Sequence, residues 1–584
     1  MAVKKILVTL RQRLRNFSER KKLLILSFVV GCASGLAAVV LRALVNLIKK
    51  LLNSGFSWAD NWQYLVLPGI GMFLSMLVLR YIVRDNISHG VTKALYAVSR
   101  NESRIKSHNM WSSVLTSSIT IGFGGSVGAE APIVYTGAAI GSNFARYMGM
   151  SYKNMTVLLG CGAAGALAGI FKAPLAGVIF TMEVLLFNIS LTSMLPLLLS
   201  TVSATVVAYL FNGQEVMFSC ALTPFSMANI PFYIVLGVVC GFGSLYFSRV
   251  TLWLEDKLGK LRNSYLKWIA CAAGLGLLIF LFPALYGEGY DYIQELLDAP
   301  VFDRASSWTV PLLLLAIFFA KVFAMSMTNA GGGVGGTFGP TLFEGAILGF
   351  CVARTLNLIF TGLDLSVPEQ NFTLVGMAAL MAGVMQAPMT AIFLIAEITG
   401  GYDLLLPLIL TATVSFGIAR IFDRYSIYAK RIAQSGDLLT HDNDKSVLTL
   451  LKTDELIRDK YPRVDINASL RDIAPVISGS DAAVFPVIDP KGRFEGYLDM
   501  DHIRKYLFRE SEYDTIFVRN IMEQPLEYVF SGEKMDSVVD KFERTDAWRL
   551  PAVRKEDMTY LGFISKSRLL MAYRSELQKI TCEE

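Results

Sequence analysis

Seven stretches of the chain are apolar for long enough to cross a bilayer, at about 23–48, 62–83, 191–211, 230–248, 266–287, 309–327 and 403–420. Between them lie apolar stretches that are shorter or interrupted by Gly and Pro, near 112–122, 133–147, 155–171, 175–187, 341–360, 372–386 and 389–399. Lipid leaves no partner for an exposed backbone N–H or C=O, so these are predicted to be half-helices that enter and stop inside protein. Near 433 the pattern changes. Residues 437–584 are rich in charge and alternate short strand-like and helical pieces. The fold expected is an all-α polytopic membrane region over 23–432, followed by a small α+β domain.

The membrane region repeats itself. Gly128-Ala129-Glu130-Ala131-Pro132 reads Gly-x-Glu-x-Pro, and Gly336-Thr337-Phe338-Gly339-Pro340 reads Gly-x-Phe-x-Pro, 208 positions later. A second phrase follows each copy at an offset of 214. Gly162, Ala164, Ala168, Gly169, Ala173, Pro174 and Glu183 return as Gly376, Ala378, Ala382, Gly383, Ala387, Pro388 and Glu397. Two halves with glycine-broken segments at matching places, about 62–212 and 266–422, predict inverted-topology repeats with a binding site at the breaks.

Each motif follows a glycine-rich break, Gly122-Phe123-Gly124-Gly125-Ser126 in one half and Gly331-Gly332-Gly333-Val334-Gly335 in the other. Proline at the last motif position suits the first turn of a helix. The motifs should therefore place helix-starting N–H groups, which carry partial positive charge and lack intrahelical partners, inside the membrane. Two such ends aimed at one spot make an anion site without a lysine or arginine, and dipoles hold an anion loosely enough to release it. Glu130 is then a carboxylate at an anion site, able to occupy it or, once protonated, to leave it.

Composition agrees with a membrane protein: 53% of the 584 residues are hydrophobic and the mean hydropathy is +0.47, too apolar for a soluble chain of this size. The first 22 residues carry Lys4, Lys5, Arg11, Arg13, Arg15, Arg20, Lys21 and Lys22 against Glu19. A long apolar run follows directly, so this reads as a retained first span with a cytoplasmic basic end over 1–22, not a cleaved signal peptide. The net charge of +6 is then a topology signal; no basic stripe with interleaved aromatics marks a nucleic-acid face. Seven scattered cysteines without Cys-x-x-Cys, and four histidines without ligand spacing, predict buried free thiols and neither a metal site nor a disulfide framework.

The membrane region, about 20–432, resembles the CLC family of chloride channels and proton-coupled chloride transporters. The residues that carry the resemblance are the motif pair, Ala173-Pro174-Leu175-Ala176-Gly177, Ala387-Pro388-Met389-Thr390-Ala391 and Ser426-Ile427-Tyr428, all in order. The resemblance implies a homodimer with one anion pathway per subunit. It implies that Glu130 gates, that the backbone N–H groups of Thr337 and Phe338 bind the anion, and that the Tyr428 hydroxyl faces the anion from the inner side. The family's first motif is Gly-Ser-Gly-Ile-Pro; here the stretch is Ser88-His89-Gly90-Val91-Thr92, with His89 where the anion-coordinating serine stands. A neutral imidazole still donates one N–H, so His89 and Gly90 join the expected site. The basic residue of the family's Gly-Lys/Arg-Glu-Gly-Pro is replaced by Ala129. Antiporters of the family commonly carry a second carboxylate one position after that matching Glu183; here it is Val184, which cannot relay a proton. This favours a gated channel, while proton-coupled exchange stays open through Glu183 or a water chain. Glu183 and Glu397 otherwise read as structural ends of matching half-helices, and Lys172 as a snorkelling lysine.

The tail repeats as well. Phe485-Pro486-Val487-Ile488-Asp489 precedes Gly496-Tyr497-Leu498, and Leu550-Pro551-Ala552-Val553 precedes Gly562-Phe563-Ile564. It resembles a pair of cystathionine-β-synthase (CBS) domains, about 446–510 and 516–578. Such pairs often bind adenine nucleotides through Ser/Thr-x-x-Asp. Here the matching stretches are Asp499-x-x-His502 and Ser565-x-x-Arg568, both without the final aspartate. That departure argues for a dimerisation and stability module and against a cofactor.

Two motif matches fail on context. Gly124-Gly125-Ser126-Val127-Gly128 fits Gly-x-Ser-x-Gly, but an intramembrane serine hydrolase would set it after a strand. Gly331-x-Gly333-x-x-Gly336 fits a dinucleotide fingerprint, but it follows an apolar helix. A divalent-cation transporter would need several inward carboxylates, and the spans offer few beyond Glu130, Glu183 and Glu397. The expectation is transport of chloride or a similar small anion, without enzyme chemistry, by a multi-pass protein of a bacterial inner membrane with both termini cytoplasmic.

Overall fold

The computed structural model describes residues 17–55, 63–298, 308–434 and 451–581, with residue 448 and apart from 86, 88, 101–102, 186–190, 215, 219–221, 262 and 361–366. Lys4, Lys5, Arg11, Arg13, Arg15, Ser88, Cys220, Cys582 and both chain ends lie outside the described residues. The chain divides into two compact units, Met1–Leu439 and Thr440–Glu584.

Among the described residues, the secondary structure of unit one is helical apart from one isolated bridge between Gly128 and Gly336. Among the described residues nine helices are long and apolar enough to cross a membrane. Two of them correct the reading above: the stretches near 155–171 and 341–360 are not half-helices but belong to helices Tyr152–Phe171 and Phe338–Ile359, of 20 and 22 residues. Their glycines are packing surfaces, not breaks. A Cβ on Gly162 would stand 2.6 Å from the Gly137 carbonyl carbon, and one on Gly345 would stand 2.6 Å from Met377 Cα. Gly137 and Gly345 sit at the 208 offset and Gly162 and Gly376 at the 214 offset, so both repeats press the same pair of helices together through small residues. Because these helices are wrapped in protein, they need less apolar bulk than lipid-facing ones.

Short helices among the described residues include Ser112–Gly122 and a matching pair, Pro174–Phe180, continued by a π-helical turn at Thr181–Leu185, and Pro388–Ile398. Sequence explains the pair. The preceding helices end on Lys172 (φ 58°) and Gln386 (φ 52°), in the left-handed conformation that stops a helix. Ala173 and Ala387 are kept out of the helical conformation by the prolines after them, and each proline opens the next helix. Lys172 Nζ then donates to the Asn212 carbonyl at 3.2 Å.

Unit two holds two copies of one small sheet. In the first, β1 (Val464–Asp465) runs parallel to β2 (Val484–Ile488), which pairs antiparallel with β3 (Phe494–Asp499). In the second, β4 (Val529–Phe530), β5 (Arg549–Val553) and β6 (Tyr560–Ser565) repeat that order and that register, down to an irregularity at Val487/Ile488 and at Ala552/Val553. A helix joins the first two strands of each copy (Leu470–Ser478, Met535–Thr545) and another follows the third (Met500–Leu507, Lys566–Thr581). Buried Phe494, Tyr560 and Phe563 pack the two copies together, with Phe494 and Tyr560 stacked at 5.6 Å. At the two stretches that match Ser/Thr-x-x-Asp, Asp499 caps the Asp501 N–H at 2.9 Å, His502 meets the Glu523 carboxylate, and Arg568 donates to the Glu455 carbonyl at 3.3 Å.

Candidate functional site

The two motifs meet. Gly128 and Gly336 pair as an antiparallel bridge, with N–H···O distances of 3.1 and 2.7 Å in the two directions. Glycine is required at both positions: a Cβ on Gly128 would stand 2.7 Å from Gly339 N, and one on Gly336 would stand 2.6 Å from Ala131 Cβ. The bridge sets the starts of helices Glu130–Met148 and Phe338–Ile359 side by side. Neither Ala129 nor Thr337 caps its helix with a side chain, so the first N–H groups of both helices are open to other acceptors.

One acceptor is Glu130 itself. Its side chain is 1% exposed, and Oε2 takes the Gly339 N–H at 3.2 Å. A carboxylate from one repeat thus sits on the helix start of the other. Its second oxygen, Oε1, accepts from the Tyr290 hydroxyl. The Ala129 N–H is taken by Glu288 Oε1 at 3.2 Å. Glu130 also lines a cavity of about 310 Å³ that holds Arg42, Lys49, Glu288, Tyr290 and Asp291. It therefore stands between that cavity and the Phe338 helix start.

Phe338 opens its helix with its ring buried against Phe171 and Phe180, at centroid distances of 5.6 and 6.1 Å. The ring packs into the protein interior. Thr337 Oγ1 lies 3.4 Å from the Tyr428 hydroxyl, and Tyr428 is buried at the start of helix Ile427–Gln434. Gly90 joins the cluster by close approach, since a Cβ there would stand 2.5 Å from the Ala131 carbonyl oxygen. The structure thus gathers Gly90, Glu130, Thr337, Phe338 and Tyr428.

His89 is placed differently from the expectation. It precedes helix Gly90–Arg100 with φ 58°, and its Nε2 lies 3.8 Å from the Glu255 carboxylate. Glu255 is held bidentately by Arg431, at 2.6 and 3.1 Å, one turn beyond Tyr428. The ring thus lies toward Glu255, while the backbone of the turn at Gly90 reaches the cluster. Glu183 is also engaged. Its carboxylate accepts from Met389 N (3.2 Å), Thr390 N (2.8 Å) and Thr390 Oγ1 (2.7 Å), capping helix Pro388–Ile398. Glu397 returns the arrangement, accepting from Leu175 N (3.0 Å) and Ala176 N (2.8 Å) at helix Pro174–Phe180. Val184 is buried beside Glu183.

Sequence reasoning missed Glu255, Glu288, Tyr290, Lys321, Glu344 and Arg431. Lys321 is fully buried; its Nζ donates to Ser126 Oγ (2.9 Å) and the Gly287 carbonyl (3.2 Å) and lies 4.7 Å from the Phe343 ring centre. Glu344 is fully buried too, acted on by the Lys321 charge, with no hydrogen bond to either oxygen among the described residues. A lysine inside the 309–327 span and a glutamate inside 341–360 were the available signals.

Comparison with known proteins fits this geometry. The family model described as voltage gated chloride channel matches residues 70–420. The voltage-gated ClC-type chloride channel ClcB of Escherichia coli O17:K52:H18 is 29% identical over 430 residues, 70% of this chain and 99% of that protein. The chloride channel protein CLC-f of Arabidopsis thaliana is 24% identical over 555 residues, 83% of this chain and 69% of that protein. Among solved structures, a slow cyanobacterial Cl⁻/H⁺ antiporter has a TM-score of 0.62 at 23% identity, over 72% of this chain and 98% of its own. A eukaryotic CLC transporter has a TM-score of 0.59 at 18% identity, over 96% and 98%. At these identities the structural likenesses establish the fold. The chain belongs to the voltage gated chloride channel (CLC) family.

Proposed function

We propose that this protein conducts chloride or a similar small anion across the membrane, through a site formed by the Phe338 helix start, the turn at His89–Gly90 and the Tyr428 hydroxyl, with Glu130 as its gate. The observation that carries the reading is the Glu130 carboxylate seated on the Gly339 N–H. A site that holds a buried carboxylate by a helix-start amide is built to hold a small anion there. An ionised Glu130 competes with that anion, and a neutral one does not, so acid pH opens the pathway. The relatives named above are chloride channels, which supports the choice of anion.

Passive conduction is favoured because Val184 offers no carboxylate and Glu183 is committed as a helix cap. The second reading is proton-coupled exchange, supported by the likeness to a Cl⁻/H⁺ antiporter and by the acids that line the cavity leading to Glu130. The protein is read as a homodimer in a bacterial inner membrane, with both termini and unit two in the cytoplasm. The doubled β-α-β-β-α arrangement of unit two supports a CBS pair, and the occupied His502 and Arg568 support one that acts as a stability module without nucleotide.

Purified protein in liposomes with an imposed chloride gradient and clamped voltage tests both readings. Chloride flux without proton movement marks a channel; protons driven uphill by chloride mark exchange and overturn the first reading. Glu130→Gln is expected to give flux that no longer responds to pH, and an unchanged pH response removes Glu130 as the gate.

A further inference from the structure

The segment Gly287-Glu288-Gly289-Tyr290 belongs to neither repeat motif, yet it touches the gate on two sides. Gly287 (φ 65°) and Gly289 (φ 90°) are both left-handed, and a Cβ on Gly289 would stand 2.8 Å from Phe343 Cε2, so only glycine lets the segment pass this close to the Phe338 helix. The segment is tied to the glycine loop that precedes Glu130. Gly287 N–H donates to the Gly124 carbonyl at 3.1 Å. The Gly287 carbonyl and Ser126 Oγ share the Lys321 ammonium as donor, at 3.2 and 2.9 Å. Held so, the segment sets the Tyr290 hydroxyl on Glu130 Oε1 and the Glu288 carboxylate on the neighbouring Ala129 N–H.

We propose that Gly287–Tyr290 is a latch on the gate: the Tyr290 hydroxyl holds the ionised Glu130 carboxylate on the Gly339 N–H, the Glu288 charge pushes against it, and the balance sets the pH at which the gate releases. This rests on the reading of Glu130 as the gate and adds the residues that tune it. Tyr290 and Glu288 are positioning residues, since neither needs to touch the anion. A donor to a carboxylate favours its charged form, and a like charge nearby disfavours it. Among the described residues, the other charged and titratable groups around Glu130 are Arg42 and Lys49 on helix Glu19–Gly55, Asp291 after the segment, Lys321 and Glu344 behind it, and Tyr428 across the site. Arg42 donates to the Ile170 carbonyl at 3.0 Å and Lys49 lies 3.9 Å from Asp291, whereas Tyr290 and Glu288 bond the gate residue and the amide beside it.

The two parts of the latch predict shifts of opposite sign. Chloride efflux from liposomes holding the full-length protein is measured against the pH of the bath for wild type, Tyr290→Phe, Glu288→Gln and Glu130→Gln. Tyr290→Phe keeps the ring, with its edge-on contact to Phe218, and removes only the hydroxyl. Its half-maximal flux is expected to move to higher pH by about one unit, the loss of one hydrogen bond to a charged group. Glu288→Gln is expected to move it to lower pH. If Glu130→Gln abolishes the pH response while the two latch variants keep the wild-type midpoint, or move it in the same direction, the latch is overturned and the gate stands. If Glu130→Gln keeps the wild-type response, the gate reading falls and the latch with it.

Discussion

Replacing Glu183 by alanine strips the start of helix Pro388–Ile398 of its acceptor. Two backbone N–H groups, at 3.2 and 2.8 Å, and the Thr390 hydroxyl at 2.7 Å lose a carboxylate. A hydrogen bond to a charged group contributes about 1.5–3 kcal/mol, and Glu183 is half-buried, so each amide falls at the low end of that range. The hydroxyl rotates to another acceptor and adds little. The expected loss is about 3 kcal/mol, which for a unit as long as Met1–Leu439, at about 1 °C per kcal/mol, lowers the melting midpoint by about 3 °C. Thermal unfolding of the detergent-solubilised full chain, followed by intrinsic fluorescence, measures it. Glu397→Ala should cost nearly as much, because it frees the Leu175 and Ala176 amides of the matching helix. A Glu183→Ala protein that melts with the wild type refutes the cap. A Glu183→Gln protein that melts normally but changes proton movement would instead make Glu183 a proton route.

Further expectations concern packing, charge and pH. Gly376→Ala puts a methyl group 2.8 Å from Gly349 Cα, overpacking that costs about 1–3 kcal/mol, seen as a lower yield of monodisperse protein on size exclusion. Lys321→Met removes the donor that Ser126 Oγ and the Gly287 carbonyl share and costs about 1–3 kcal/mol in the same thermal assay; a variant that melts with the wild type refutes that tie. In unit two, burial pushes the Glu533 carboxyl up, but the Lys541 ammonium, the Phe530 N–H and the Ser537 hydroxyl outweigh it and hold it below its ordinary value. A depressed folded value means stability that is present above the unfolded value near 4.3 and is lost as pH falls through the folded one. Protection of the Val529–Val553 amides, corrected for the intrinsic pH dependence of exchange, should therefore fall below about pH 4, and Glu533→Gln should remove that pH step.

The site was legible where it repeats. Glu130, Thr337 and Phe338 could be placed because a motif at an offset of 208 forces two helix starts into equivalent positions, and the helix caps Glu183 and Glu397 recur at 214. What does not repeat stayed hidden. Glu288 and Tyr290 lie in a connection with no period to read, and their approach to Glu130 depends on two left-handed glycines that composition alone does not orient. Lys321 and Glu344 were in plain view, but one charge barely lowers the mean of a long apolar window. Gly162 and Gly345 were mistaken for breaks because glycine interrupts a helix in isolation and joins two helices in a bundle. The partner of His89 could not be found from its own motif, because Glu255 and Arg431 come from distant helices.

The reciprocal caps have a consequence for how the protein is made. Glu183 waits for an amide 207 residues downstream, and Ala176 waits for a carboxylate 221 residues downstream. At about 5–20 residues per second, the first half sits in the membrane for roughly 10–45 s with a half-helix end and a carboxylate unmatched. Neither half is a finished object, so biosynthesis must shelter the early half until its twin arrives, and a chain halted between the two is marked for disposal by the polar groups it cannot hide.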